Sequence, residues 1–151
     1  MQQWEKVEKL KRANESYFNS WEWNWFCTLN LDDANQAKAE DLLKKWRRTE
    51  AKRCHMQFAC MGVYNTLPQP HVHLVALGKN RFGDSLLMVD HEEWEAAWNR
   101  LTHLDAKIIP IWDDEAQEQI VSYIVKGNMP SGCSDLVWAY NGKLLKQSKI
   151  R

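Results

Sequence analysis

Hydrophobic and polar positions along the chain change period several times, and each change marks a predicted element. Residues Trp4 to Tyr17 carry charges throughout and predict a charged leader or short helix. The run Trp25 to Leu31 is rich in aromatic and β-compatible residues and predicts a first strand. Asp32 or Asp33 is placed to cap a helix from about Ala34 to Arg53, with Leu42, Leu43 and Trp46 as its apolar stripe. Met56 to Tyr64 and His71 to Leu77 predict two further strands, joined as an antiparallel hairpin by a turn in which Pro68 and Pro70 remove backbone donors. Asp90 followed by Glu93 signals a second long helix, with Trp94, Ala97, Trp98, Leu101 and Leu104 at near-helical spacing. Lys107 to Trp112 predicts a fourth strand whose Pro110 demands an edge or a bulge. A third helix is expected from about Asp114 to Lys126, closed at Gly127, and Asp135 to Tyr140 predicts a final strand. Helices that alternate irregularly with strands, one pair hairpin-linked, argue for a two-layer α+β domain rather than a doubly wound sheet.

Composition supports one ordinary domain over residues 1–151: 44% of residues are hydrophobic, 26% charged, and there are 6 Gly and 4 Pro, which excludes collagen-like and disordered chains. Net charge is zero, so any polyanionic partner needs a local patch. Charge is uneven: residues 79–119 hold 4 basic and 10 acidic side chains, residues 120–151 hold 5 basic and 1 acidic. Neither a signal-peptide core nor a membrane-length apolar run is present, so cytoplasmic residence is the expectation, or the host interior for a virus- or plasmid-encoded chain. Cys27, Cys54, Cys60 and Cys133 read as reduced packing residues rather than a disulfide framework.

Two local features point to chemistry. In His71-Val72-His73 the imidazoles stand two residues apart on a strand, so they share one face while Val72 and Leu74 enter the hydrophobic layer. Such a pair suits Mn²⁺, Zn²⁺ or Co²⁺, and Mg²⁺ only with added oxygen donors; its bland counterpart is the polar face of an amphipathic strand. On the third helix, Tyr123 and Lys126 are three residues apart on neighbouring parts of one face. A metal or an ammonium nearby would stabilise a phenolate, whereas the structural alternative places Tyr123 in the buried stripe with Lys126 as a solvated last-turn cation.

Trp25-Phe26-Cys27-Thr28-Leu29-Asn30-Leu31, His71-Val72-His73 and Tyr123-Ile124-Val125-Lys126 resemble, in order, the three motifs of the rolling-circle replication initiators, the His-hydrophobic-His (HUH) endonucleases. The similarity spans about residues 25 to 127 and implies a ferredoxin-like antiparallel sheet of about five strands with helices packed on it. It implies nicking of single-stranded DNA at an origin-like or hairpin-adjacent site, with the 5′ phosphate retained on tyrosine and a 3′ hydroxyl released. On this reading Tyr123 is the nucleophile, His71 and His73 hold Mn²⁺ or Mg²⁺, Lys126 positions phosphate or phenolate, and Thr28 and Asn30 help place DNA. The chain would then be a nicking domain, complete or the N-terminal part of a longer initiator. Family members commonly add a carboxylate ligand from the preceding strand; between Met56 and Pro70 this chain has none, leaving Asn65 or Gln69, with Gln57 and His55 as further donors.

A track for single-stranded DNA would combine stacking aromatics with cations. Trp21, Trp23 and Trp25 alternate and are candidates to share one strand face, Trp25 for stacking, beside Arg48, Lys52 and Arg53 of the first long helix and Lys143 of the tail. Core packing is the commoner fate of tryptophans at regular spacing and is expected for most of the nine, with one or two left for stacking, and cations near a helix C-terminus are favourable on structural grounds alone. Competing readings are a phosphodiester hydrolase without a covalent intermediate, a non-catalytic nucleic-acid-binding module, and a structural zinc site drawn from Cys54, His55, Cys60 and the histidine pair.

Overall fold

Alternation along each strand divides the apolar residues between the two faces of one sheet, and that division sets the architecture. The structure, a computed structural model, describes residues 3–65, 69–128 and 137–150, with backbone alone at 126–128 and 137. Its elements run α1 (Gln3–Phe18), β1 (Trp25–Asn30), α2 (Ala39–Cys54), β2 (Gln57–Asn65), β3 (His71–Lys79), α3 (His91–Thr102), β4 (Ala106–Pro110), α4 (Asp114–Asn128), β5 (Val137–Tyr140) and α5 (Gly142–Ser148). The five strands form one sheet in the order β4-β1-β3-β2-β5, and every neighbouring pair is antiparallel. This is the expected α+β class, with a central antiparallel sheet and helices packed against it.

Each face of the sheet buries its own apolar cluster under its own helices. Trp25, Cys27, Leu29, Phe58, Cys60, Val72, Leu74 and Ala76 meet Leu43 and Trp46 of α2 and Trp94 and Trp98 of α3. Trp94 is the hub: its ring centroid lies 5.1 Å from Trp25, 5.1 Å from Phe58 and 5.4 Å from Trp46, and its carbonyl accepts the Trp46 indole N–H at 2.9 Å. On the other face Phe26, Met61, Val63, Val75 and Leu77 meet Phe18 of α1, Val121, Ile124 and Val125 of α4, and Leu144 and Leu145 of α5.

The predicted elements are present, with corrections at their ends. Asp32 does not cap α2: its carboxylate accepts the Asn35 N–H at 2.9 Å while Asn35 Oδ1 accepts the Asp32 N–H at 2.8 Å, closing a separate turn. A 3₁₀ turn at Gln36–Lys38 follows, and α2 starts at Ala39 rather than Ala34. Asp90 does cap α3, accepting the Glu92 N–H at 3.0 Å. Pro110 lies on the edge strand β4, where its missing donor costs no ladder bond. The helix α5 was not anticipated; Asn141, in the left-handed region, caps it by accepting the Leu144 N–H. Cys133, Asp135 and Pro68 lie outside the described residues.

The tryptophans at the entry to β1 do not share one strand face. Trp21 and Trp23 precede the strand, so alternation does not apply to them, and they enter the α1/α4/α5 cluster while Trp25 enters the α2/α3 cluster. All three are buried, Trp25 at 0% exposure. Burial against Trp94 removes Trp25 as a stacking surface for bases.

β2 crosses β3 closely at Gly62, where a Cβ would lie 2.6 Å from the His73 carbonyl oxygen and 2.8 Å from Leu74 Cβ. Gly62→Ala should therefore cost about 1–3 kcal/mol by overpacking. Trp94→Ala should cost about 3–5 kcal/mol through the cavity it leaves. Both are read from urea denaturation midpoints, and a Trp94→Ala midpoint equal to that of the unsubstituted chain would remove the hub assignment.

Candidate active site

Register brings the polar residues of three strands together at one end of the sheet. His71 of β3 pairs with Asn30 of β1 on one side and Asn65 of β2 on the other; the next residue on the same face, His73, pairs with Thr28 and Val63. Directly paired residues share a face, so Asn30, His71 and Asn65 form one row, and Thr28 and His73 the row behind it. Thr28 extends the second row to Lys107, its partner on β4. Lys107 is exposed, and sequence reading missed it because only strand pairing places it beside Thr28.

The two imidazoles lie 4.6 Å apart between ring centroids, and each has its Nδ1 engaged. His71 Nδ1 donates to the Gln69 carbonyl at 2.7 Å, and His73 Nδ1 hydrogen-bonds Thr28 Oγ1 at 3.1 Å. A carbonyl can only accept, so His71 carries its proton on Nδ1 and presents a lone pair at Nε2. This is the orientation by an outer partner that metal-binding histidines commonly have. It also separates two residues that the sequence left open: Asn65 faces His71 across the hairpin, whereas Gln69 acts on His71 through its main chain. His73 is 5% exposed, and burial, reinforced by neighbouring His71, pulls its pKa down to about 4. It is therefore neutral near pH 7.

Tyr123 reaches this face from α4. Val121, Ile124 and Val125 are buried against the sheet, which turns Tyr123 to the margin of the contact, 55% exposed. Its ring centroid lies 5.6 Å from His73 and 6.3 Å from Phe26. Asp113 caps α4 by accepting the Ala116 N–H at 2.7 Å. Buried Gln117 then fixes the helix: its Oε1 accepts the Trp23 N–H at 2.8 Å and its Nε2 donates to the Trp21 carbonyl at 2.7 Å. That anchor was invisible in sequence because glutamine carries no special signal. Lys126 falls within α4, but its side chain lies outside the described residues.

The remaining predicted residues divide sharply. Arg48, Lys52 and Arg53 lie in the last turns of α2, beside His55 and the start of β2, which pairs with the Lys79 end of β3. His71 and Lys79 are eight residues apart on β3, about 26 Å at the usual strand rise. Lys143 belongs to α5, whose cap residue Asn141 donates to the Phe58 carbonyl near that same far end. None of these cations stands beside the histidine pair. The zinc alternative fails on geometry: Cys60 belongs to the α2/α3 cluster, on the opposite face from His71 and His73, and burial pushes its thiol up to about 12. Among the described residues, no three His, Cys, Asp or Glu side chains are grouped closely enough to hold a metal ion. A carboxylate does approach: a cleft of about 240 Å³ is lined by His71, Asn65, Tyr64, Leu31 and, from the start of α2, Gln36 and Glu40. Helix position gave no hint of Glu40, since α2 covers the other face of the sheet.

No protein-family model matches the chain, and no curated protein does. Among solved structures, the chain is similar to the hypothetical protein ORF119 from Sulfolobus islandicus rod-shaped virus 1, at 14% identity and a TM-score of 0.45, covering 78% of this chain and 92% of that one. No helix among the described residues is long and apolar enough to cross a membrane.

The low pKa of His73 makes stability depend on pH. The folded protein keeps this imidazole unprotonated down to about pH 4, while the unfolded chain takes up the proton near the ordinary value of 6.5. Between those values the unfolded state binds more protons, so stability falls as pH falls through that window. In His73→Gln that contribution is lost, and the pH dependence of the denaturation midpoint between pH 6.5 and 4 should flatten. An unchanged slope would show that His73 titrates normally.

Proposed function

We propose that this chain is a metal-dependent endonuclease and strand transferase that nicks and rejoins single-stranded DNA through a 5′-phosphotyrosine intermediate at Tyr123. The observation that carries this reading is the exposed Tyr123 ring 5.6 Å from His73, on the sheet face where His71 and His73 lie side by side.

The residues present fit a divalent ion in part. Two imidazoles with Nδ1 engaged are suited to offer Nε2, and Asn65 and Asn30 flank His71 with amide oxygens, a nitrogen-and-oxygen donor set that suits Mn²⁺ or Mg²⁺ better than a soft ion. With Glu40 at the cleft wall rather than in the pair, the set lacks a charged ligand and weak binding follows. A bound ion would supply Lewis-acid polarisation of a phosphodiester oxygen.

Tyr123 then acts on the phosphorus. Its phenolic oxygen forms the new P–O bond as the bond to the 3′ oxygen breaks; the phenolic proton passes to solvent and the 3′ oxygen takes one up. One phosphodiester replaces another, so attack by a 3′ hydroxyl reverses the step without nucleotide hydrolysis. Thr28 holds the His73 ring, Gln69 holds His71, and Gln117 holds the helix that presents the phenol. Lys107, one strand beyond Thr28, is placed to carry a phosphate of the bound strand. Lys126 is assigned the role of neutralising phosphate or phenolate by its position three residues after Tyr123.

Incubating the protein with fluorescent single-stranded oligonucleotides and Mn²⁺ should give a covalent adduct on a denaturing gel that EDTA prevents. Tyr123→Phe should abolish it and His71→Ala should reduce it at least about tenfold, the scale of a lost metal ligand or its outer partner. Strand transfer that persists in Tyr123→Phe, with peptide mapping excluding Tyr17, Tyr64 and Tyr140, would remove the nucleophile assignment. Cleavage without an adduct would favour metal-dependent hydrolysis, and binding without either a non-catalytic module.

A further inference from the structure

We infer that the end of the sheet remote from the histidine pair is a second nucleic-acid surface, one that grips the phosphate backbone of a duplex. Three segments bring cations there: the last turns of α2 (Arg48, Lys52, Arg53), the end of β3 (Lys79) and the turn that follows it (Arg81). They border two adjoining grooves of about 640 and 660 Å³ that share Lys52 and His55. Carboxylates answer only part of this charge. Glu50 is buried and pairs with Arg53 at 2.8 Å, where Glu93 also acts, and exposed Asp84 sits in the turn beside Arg81, bonded to Asn80 Nδ2 at 3.2 Å. Among the described residues, Arg48, Lys52, Lys79 and Arg81 form no ion pair. In a chain of zero net charge, this is segregation of charge rather than excess.

The arrangement suits a phosphate ladder. Lys44, Arg48 and Lys52 recur every fourth residue and are exposed, so they form a row along α2 with members about 6 Å apart. That spacing is comparable to successive phosphates of one strand. Arg81 is presented on the far side by a stiff turn: Asn80 Oδ1 accepts the N–H groups of Phe82 and Asp84, and Gly83 adopts φ +85°. Neither groove is lined by Phe, Tyr or Trp, and the nearby aromatic, Phe82, lies under the Arg81 guanidinium, 4.8 Å away. Single-strand binding relies on a series of stacking platforms, and these grooves have one exposed aromatic at the rim, Phe82. A backbone whose bases are already paired is the ligand this surface matches. The inference does not rest on nicking at Tyr123, because it uses no residue of that site.

Binding of the full chain to a blunt fluorescent duplex, followed by anisotropy over a series of salt concentrations, tests it. The duplex should bind with a steep salt dependence. Arg48→Glu/Lys52→Glu/Arg81→Glu should weaken it at least about tenfold and lower the slope of log K against log salt by about 1 for each contact removed. Tyr123→Phe and His71→Ala should bind the duplex as the unsubstituted chain does, whether or not they form adducts with single strands. All three reversed residues are exposed, so circular dichroism should be unchanged, and the thermal midpoint should fall only slightly through the acids placed near the C-terminus of α2. The inference is overturned by no duplex binding, by unchanged affinity and slope in the folded triple variant, or by loss of binding in Tyr123→Phe. Equal affinity for phosphatidylserine vesicles or polyglutamate would overturn the assignment to nucleic acid.

Discussion

The antiparallel register of β3 against β1 and β2 is the constraint from which the rest of the structure follows. Asn30, His71 and Asn65 lie opposite one another, and from that row the pairing runs inward to Gln57 and Lys79 at the other end. A slip of one residue would carry His71 and His73 to the α2/α3 face and drive Val72, Leu74 and Ala76 out of their core. The register is held because the two faces of β3 differ: Val72, Leu74 and Ala76 fill the α2/α3 cluster, whereas His71 and His73 share the other face with Val75 and Leu77. A strand equally apolar on both faces would tolerate slippage more readily, because a slip would leave its apolar side chains buried.

Burial on both faces of β3 explains the unusual state of His73. An imidazole in an otherwise apolar strand interior loses solvation for its charged form, and the Thr28 hydroxyl satisfies one ring nitrogen without restoring a charge. His71, at the strand's first residue, remains half-buried and takes its partner from the chain itself, the Gln69 carbonyl. The pair thus joins one ring locked by the core to one set at the sheet margin. Tyr123 approaches over the locked ring, and the buried amide of Gln117 ties its helix to the segment entering β1.

Local pattern was legible wherever it had a short-range physical cause. The Asp90 cap, the β2–β3 hairpin and the edge position of Pro110 follow from side chains acting on neighbouring backbone. Reading failed where a distant partner decided the outcome. Asp32 has the side chain and position of a helix cap, but the mutual turn with Asn35 takes the same groups. Alternation offers Trp25 as a stacking surface, since it says which face a residue occupies and not whether Trp94 covers it. Arg48, Lys52 and Arg53 are candidates for the same DNA track as the tryptophans in sequence, yet a basic run has no address until α2 is packed against the sheet.

By itself the sequence determined the strands and helices, the common face of His71 and His73, and the neighbouring faces of Tyr123 and Lys126, since period-2 and period-3.6 geometry act within a few residues. Only the tertiary structure decided that Tyr123 stands over His73, that Asn65 faces His71, that Lys107 lines up with Thr28, and that the α2 cations occupy the opposite end of the sheet. Those relations depend on strand order and helix packing, which are set by the burial of two hydrophobic clusters summed over the whole chain.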